Sequence, residues 1–292
     1  MLERTPLFAE SWNVAWRKKP TGSLLTDFNT TFNVIDNDRN YWAADPFLFD
    51  YNNDIYIFAE LYDYKLCRGC IGYTKWNGKS FDGWTKVITE EFHLSYPFIF
   101  EYDGEIYILP ESGADNSLFL YKAIEFPSKW KKERIIKQDI IFADTTPFIY
   151  DKHKYALTYD VKEQGGFHIT LLDIENDTEK SLDYLKNQEL RRPAGRFFEY
   201  NNSLVRPAQI CINDYGEGLV FYNVTIDNNQ YTETEVERIT PNNLSFSKKM
   251  PLDGMHTYNS SDEFEVIDIK TRRLNLKNLF YRFMSKLQRK TK

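Results

Sequence analysis

The sequence predicts an all-β fold: a five-bladed β-propeller with a C-terminal basic amphipathic helix. Three observations carry that reading. One unit occurs four times. Asp45 to Glu60 (DPFLFDYNNDIYIFAE) is an apolar strand, a polar turn and a second apolar strand, opened and closed by a carboxylate. Tyr96 to Glu111 (YPFIFEYDGEIYILPE), Thr146 to Asp160 (TPFIYDKHKYALTYD) and Ala194 to Gln209 (AGRFFEYNNSLVRPAQ) repeat it. The second positions, Pro46, Pro97, Pro147 and Gly195, lie 51, 50 and 48 residues apart, which is the period of a propeller blade. Aromatic residues, 20 Tyr and 22 Phe among them, make up 16% of the chain and favour strands.

The elements follow in order. Trp12 to Trp16 and Phe28 to Ile35 are strand-like runs that precede the first repeat, and they complete the last blade or cap the ring, because a propeller must close on itself. Blade I runs from Trp42 to Thr89. Its outer strands, Cys70 to Trp76 and Trp84 to Ile88, are divided by the turn Asn77-Gly78. Blade II begins at Leu94-Ser-Tyr-Pro97, turns at Asp103-Gly104 and continues through Ser117 to Ala123 and Lys132 to Ile136. Blade III begins at Phe142 and has Phe167 to Ile174 as its third strand. Blade IV begins at Arg192-Pro-Ala-Gly195 and adds Gly218 to Ile226 and Tyr231 to Ile239. A degenerate fifth unit, Met255 to Asn259 and Phe264 to Ile269, joins the N-terminal strands. A sixth blade stays open if residues 10–40 form more than a closing strand.

The domains are therefore a propeller over residues 1–270 and a tail over residues 271–292. The tail has eight Lys/Arg and no acid, with Leu276, Leu279, Phe280, Phe283, Met284 and Leu287 at helical spacing. Such a helix either packs on the propeller or lies on an anionic membrane surface, beside a lipid-linked acceptor. The net charge of −6 argues against nucleic acid as a partner. Cys67, Cys70 and Cys211 are too few for a disulfide framework, and Cys67-x-x-Cys70 lacks the second pair of a zinc site. No run of 18 apolar residues occurs, and the N-terminal residues lack a signal-peptide core. The expected location is the cytoplasm, peripheral on the inner face of the membrane if the tail takes the second of these roles.

In a propeller, equivalent positions of successive blades meet around the central channel. Asp45, Tyr96, Asp144 and Thr146, with Arg192, Arg196 and His256, form one such set; Glu60, Glu111, Asp160 and Gln209, which end second strands, form another. Charges repeated at inner positions need a task, because unpaired buried charge is costly. The plainer reading is that Asp45 and Asp144 cap turns while Glu60 and Glu111 pair with Arg196 and Arg206. The expected pocket is lined by Asp45, Glu60, Glu111, Asp144, Arg196, Arg206, Gln209 and His256. Arginines there suit bidentate recognition of phosphate or carboxylate. His93, His153, His168 and His256 show no metal-ligand spacing, so no metal ligands are assigned; a divalent metal ion stays open as a cofactor. Carboxylates and arginines among aromatics are how a site for a sugar or nucleotide-sugar is built.

At Trp42-Ala-Ala-Asp-Pro46, echoed by Ser95-Tyr-Pro97 and Asp144-Thr-Thr-Pro147, the chain resembles the five-bladed furanosidase propellers of glycoside hydrolase families 43 and 32. The runs Arg192 to Tyr200, Leu204 to Gln209, Tyr215-Gly-Glu-Gly218 and Met255-His-Thr-Tyr-Asn259 resemble a narrower family. This is the propeller domain at the N-terminus of plant glucosamine inositolphosphorylceramide transferases, found also in bacterial proteins; the likeness covers roughly residues 10–270. By the first resemblance, Asp45 matches the hydrolases' general base or nucleophile, and Asp144 falls in the third-blade slot. Blade II departs from it, with Tyr96 on the first strand and the carboxylate, Glu111, on the second. The catalytic set read this way is Asp45, Glu111 and Asp144; Glu60, Tyr96, Arg192, Arg196, Arg206, Gln209, His256 and Tyr258 bind substrate. The narrower resemblance points toward glycan assembly, and the expected cytosolic location favours a nucleotide-sugar donor, so the reading is a glycosyltransferase of cell-surface polysaccharide or glycolipid biosynthesis. A glycoside hydrolase and a non-catalytic glycan-binding module remain the alternatives.

Overall fold

The structure is a computed structural model that describes residues 8–20, 30–161, 168–174, 176–182, 192–227, 230–274, 276–277, 279–281 and 283–284. Four antiparallel four-stranded sheets follow the chain. Blade I is Tyr41–Tyr51, Asp54–Asp63, Arg68–Lys75 and Thr85–Ile88; blade II is Ser95–Tyr102, Glu105–Glu111, Ser117–Glu125 and Lys129–Gln138. Blade III is Phe142–Tyr150, His153–Asp160, His168–Asp173 and Thr178–Ser181; blade IV is Phe198–Tyr200, Ser203–Ile210, Gly218–Asp227 and Gln230–Ile239. Blade V closes the ring from both ends of the chain. Its strands Tyr258–Ser260 and Phe264–Leu274 pair onward to Phe8–Lys18 and then Thr31–Val34. The expected five blades are present, and among the described residues helix before the tail is limited to the short 3-10 turns Gly113–Asp115 and Pro241–Asn243.

Local chemistry explains the repeat. In blades I to IV the first hairpin turns on two left-handed residues: Asn52-Asn53, Asp103-Gly104, Asp151-Lys152 and Asn201-Asn202. Two-residue turns with both φ positive match the twist of the flanking strands, and Asn, Asp and Gly bear that backbone best. The strands between these turns bury alternating apolar faces against neighbouring blades. Phe47, Phe58 and Ile71 of blade I pack with Phe98, Ile108 and Tyr121 of blade II, and Trp16, Phe264 and Val266 of blade V pack with Ile57 and Leu61 of blade I. Two buried ion pairs sit inside the sheets, Arg17 with Glu265 at 2.6 Å and Arg206 with Glu233.

The blade phase differs from the proline spacing in one place. Pairing between first and second strands skips at Ala44/Phe47, Ser95/Phe98 and Ala143/Thr146. Each skip holds one left-handed residue, Asp45, Tyr96 or Asp144. Asp144 is therefore level with Asp45 and Tyr96, and Thr145, not Pro147, stands where Pro46 and Pro97 stand. For the same reason Tyr159, not Asp160, lies opposite Ala143 and corresponds to Glu60 and Glu111. The last strand of blade V continues past residue 270 to Leu274, and Thr271 is fully buried. Beyond it, residues 276–277, 279–281 and 283–284 are helical; Leu287 lies outside the described residues.

Candidate active site

The strand irregularities build the site. A bulge with a left-handed residue re-aims a side chain at the rim of a sheet. At Asp45, Tyr96 and Asp144 it turns the side chain toward the channel. Asp45 Oδ2 then accepts the backbone N–H of Tyr96 at 3.1 Å, linking blade I to blade II. The Tyr96 ring crosses the channel. Its hydroxyl meets Thr146 Oγ1 of blade III at 2.8 Å and accepts Gly195 N–H of blade IV at 2.7 Å. Gly195 (φ 139) is required there, because a Cβ would stand 1.9 Å from the Tyr258 carbonyl oxygen. Tyr96, fully buried, is the floor of the site rather than a surface for substrate.

Above that floor two charged groups face each other. On one side His256 Nδ1 lies 2.5 Å from Asp268 Oδ2, and its Nε2 lies 3.7 Å from Asp45 Oδ1. Asp268 also accepts the backbone N–H of His256 at 2.8 Å, of Thr257 at 3.0 Å and of Asp45 at 3.1 Å. Trp12 stacks on the imidazole with ring centres 4.0 Å apart, and Tyr215 meets it edge-on at 5.1 Å. The Tyr215 loop is pinned by Lys270, which binds Asp214 and the Tyr215 carbonyl, and by Gly254, where a Cβ would collide with Gly216 O. On the other side Arg192 joins Asp144 and Glu111, with Glu111 Oε2 at 3.1 Å, and lies 5.5 Å over the rings of Tyr159 and Tyr215. Gln209 donates to Asp144 Oδ2 at 3.0 Å. Glu60 Oε1 has no hydrogen-bond donor and lies 3.4 Å from His93 Nε2. His93 Nδ1 accepts the Gly69 N–H, so in the neutral ring Nε2, the nitrogen nearer Glu60, carries the proton.

Five carboxylates thus share one arginine and one imidazole, and burial, reinforced by that shortage, raises Asp45, Glu60 and Glu111. Burial pushes Glu111 up to about 8, with Arg192 opposing and Asp144 and Asp45 adding. Burial lifts Asp45 to about 6, with His256 opposing and Asp268 and Asp144 adding. Burial also raises Glu60 well above the ordinary range, and nearby Asp45 and Glu111 add to it. For His256, burial works against the charged form, but Asp268 and Asp45 outweigh it and hold the imidazolium above its usual range. Asp268 is the reverse: burial raises it, and His256 more than compensates, keeping it low. Burial alone takes His93 down to about 4, so it is neutral.

Of the residues the sequence points to, Asp45, Glu60, Tyr96, Glu111, Asp144, Arg192, Gln209 and His256 come together here. Three do not. Arg206 bonds Glu233, which also accepts from the Tyr231 hydroxyl, so its guanidinium points outward along blade IV, away from the channel. Tyr258 donates to Glu265 at 2.9 Å within the core between blades IV and V. Arg196 bonds the Ile99 carbonyl, lies 4.4 Å over Phe98 and lines a cavity of about 240 Å³ with Phe148 and Ile149, toward the opposite end of the channel. Sequence reasoning missed Asp268, Trp12, Thr257, Tyr215 and His93 as partners. Asp268 was within reach: it sits toward the close of the degenerate fifth unit's second strand, as Glu60 and Glu111 do in theirs. A larger cavity, about 440 Å³, lies beside the cluster rather than on it, lined by Ser11, Asn13, Asn37, Arg39 and Tyr64 among others. Asp45, His256 and Asp268 bring ligand-type atoms within 4.8 Å of one another, yet those atoms already bond each other and the backbone, so an ion there would have to displace them.

The chain resembles known proteins in two ways, in fold and in sequence. The catalytic domain of a family-62 α-L-arabinofuranosidase from Coprinopsis cinerea superposes with a TM-score of 0.54 at 10% identity, over 89% of this chain and 98% of that one. An α-L-arabinofuranosidase from Lactobacillus brevis does so at 0.53 and 11%, over 77% and 82%. At such identities the likeness is one of fold. In sequence, glucosamine inositolphosphorylceramide transferase 1 of Arabidopsis thaliana is 30% identical over 71% of this chain, and its counterpart from Oryza sativa subsp. indica is 28% identical over 67%. The chain spans 28% of the length of each of these relatives. The family described as glucosamine inositolphosphorylceramide transferase 1, N-terminal, matches residues 29–259, and the chain belongs to that family.

Proposed function

We propose that the channel mouth handles a glycosyl group by acid–base chemistry, and that the chain acts as a glycosyltransferase in glycolipid or cell-surface polysaccharide assembly. The single observation that carries this is a pair of carboxylates in one cluster, Asp45 buried and Glu111 partly open to the channel, that hold their protons to different pH, Asp45 to about 6 and Glu111 to about 8. Near neutral pH one is a base and the other an acid, the division of labour that glycosyl chemistry needs. Asp45 takes the proton of an acceptor hydroxyl as its oxygen attacks the anomeric carbon. The bond from that carbon to the leaving oxygen breaks, and Glu111 delivers its proton there. His256, held by Asp268, sets the charge beside Asp45; Arg192 and Asp144 do so beside Glu111. The family name supports transfer to an inositolphosphorylceramide-type acceptor. A nucleotide-sugar donor, a lipid-linked acceptor and a cytosolic position beside the membrane belong to this reading.

Hydrolysis is the second reading, with water as the acceptor, and one observation favours it. A leaving diphosphate wants unpaired cations, yet Arg192 is engaged by two carboxylates, and Arg196 and Arg206 are held elsewhere. The experiment compares the two directly. Purified chain is incubated with radiolabelled nucleotide sugars plus lipid extract, and separately with aryl glycosides. Label entering lipid, lost in Asp45→Asn, supports transfer; aryl release lost in the same variant supports hydrolysis. Neither activity, together with no thermal stabilisation by any nucleotide sugar or oligosaccharide, would leave glycan handling without support.

A further inference from the structure

The segment after blade V leaves the propeller on the face where the site opens. The strand Phe264–Leu274 carries Asp268 in the site and continues six residues, about 20 Å, beyond it. Just past its end, Lys277 Nζ bonds Asn40 Oδ1 at 2.7 Å and the Arg39 carbonyl at 3.3 Å. Those residues belong to the connection that enters blade I a few residues before Asp45. On the helical residues, Leu276, Phe280, Phe283 and Met284 are spaced to share one helix face, and the propeller leaves that face open: they are 65%, 58%, 60% and 39% exposed. Other exposed apolar residues, such as Ile124 and Ile149, stand singly on the blades. Residues 275–292 also contain six Lys/Arg and no Asp or Glu, although the whole chain is acidic.

We infer that this helix docks the propeller on an anionic lipid bilayer, with the channel mouth facing the membrane. An exposed apolar helix face, in a stretch whose sequence is basic on a chain otherwise negative, matches the interface of such a bilayer, where apolar rings enter the headgroup boundary and basic residues favour anionic headgroups. A second copy of this chain is the poorer partner, because two such tails bring like charge against like charge. The inference deepens the proposed function by supplying the place where a lipid-linked acceptor would reach Asp45, but it does not depend on that function.

Vesicle flotation of the full chain tests it without any activity. With vesicles of one part phosphatidylglycerol to three parts phosphatidylcholine at low salt, the protein floats; with phosphatidylcholine alone, or at 1 M salt, it stays in the load. The double variant Phe280→Glu, Phe283→Glu binds at least tenfold less, while its unfolding midpoint stays within about a degree of the parent. An environment-sensitive dye on Lys65→Cys, at the site end of blade I, shifts to the blue on binding; a dye on Asp103→Cys, at the opposite end, does not. Failure of the parent to float, equal binding by the double variant, or a shift at Asp103 instead of Lys65 would overturn the inference. A parent that sediments as a dimer and becomes monomeric in the double variant, with no lipid binding in either, would assign the apolar face to a second copy and would also overturn it.

Discussion

Two sets of charge, one buried in the blades and one at the channel mouth, divide this molecule. Inside the blades Arg17 faces Glu265 and Arg206 faces Glu233, each side chain 2% exposed or less. At the channel mouth Asp45, Glu60, Glu111, Asp144 and Asp268 share Arg192 and His256. In the first set each acid has its own cation. In the second, acids outnumber cations, and protons must make up the shortfall. Paired charge holds sheets in register; acid in excess keeps protons ready to move. That contrast is the physical argument for placing the proposed chemistry at the mouth rather than at the more deeply buried arginines of blades IV and V.

The largest effects should separate the two sets cleanly. Arg206→Met strands Glu233 without its cation and should cost about 3–5 kcal/mol in denaturant unfolding. Asp45→Asn should leave stability unchanged or raised, since it removes an anion from among like charges, while lowering the glycosyl reaction about 10²- to 10⁴-fold. Next comes pH. The reaction should rise through about pH 6 as Asp45 ionises and fall through about pH 8 as Glu111 does, and Glu111→Gln should remove the alkaline limb. Stability has its own sign. Glu111, Glu60 and Asp45 hold protons more tightly folded than unfolded, so the folded state binds more protons between about pH 4.5 and 8. Thermal unfolding should therefore move down as pH rises through that window, and Glu60→Gln with Glu111→Gln should flatten the slope. Below the window Asp268, held low by His256, works the other way, and its contribution is lost as pH falls. The smallest effect is Tyr258→Phe. It deletes one hydrogen bond to Glu265, should cost about 1 kcal/mol, and should leave the reaction untouched.

Much of the fold was legible because the repeat is written in local chemistry. The Asp103-Gly104 turn and the alternating apolar strands announce blade II, and similar runs mark blades I, III and IV. The Asn52-Asn53 and Asp151-Lys152 turns use the same left-handed geometry with less distinctive residues. The phase of blade III was misread because Pro147 follows its left-handed residue by three positions, whereas Pro46 and Pro97 follow theirs directly. The site was legible where a residue sits at a repeated inner position, as Asp45, Glu60, Glu111 and Asp144 do. It was illegible where direction matters. Arg206 and Gln209 lie three residues apart on one strand, yet one turns outward to Glu233 and the other meets Asp144. Trp12 and His256 come from opposite ends of the chain, and ring closure in blade V alone stacks them.

The proton on Glu111 tests the account most directly. Carboxyl carbons labelled with ¹³C in Glu, with Glu111 identified by its absence in Glu111→Gln, can be followed by NMR across the pH range. The account predicts a carboxyl that ionises near pH 8 and shifts lower in Asp45→Asn, where a neighbouring negative charge is gone. A Glu111 carboxyl already ionised at pH 5 would contradict it, since the channel mouth would then hold no acid to give.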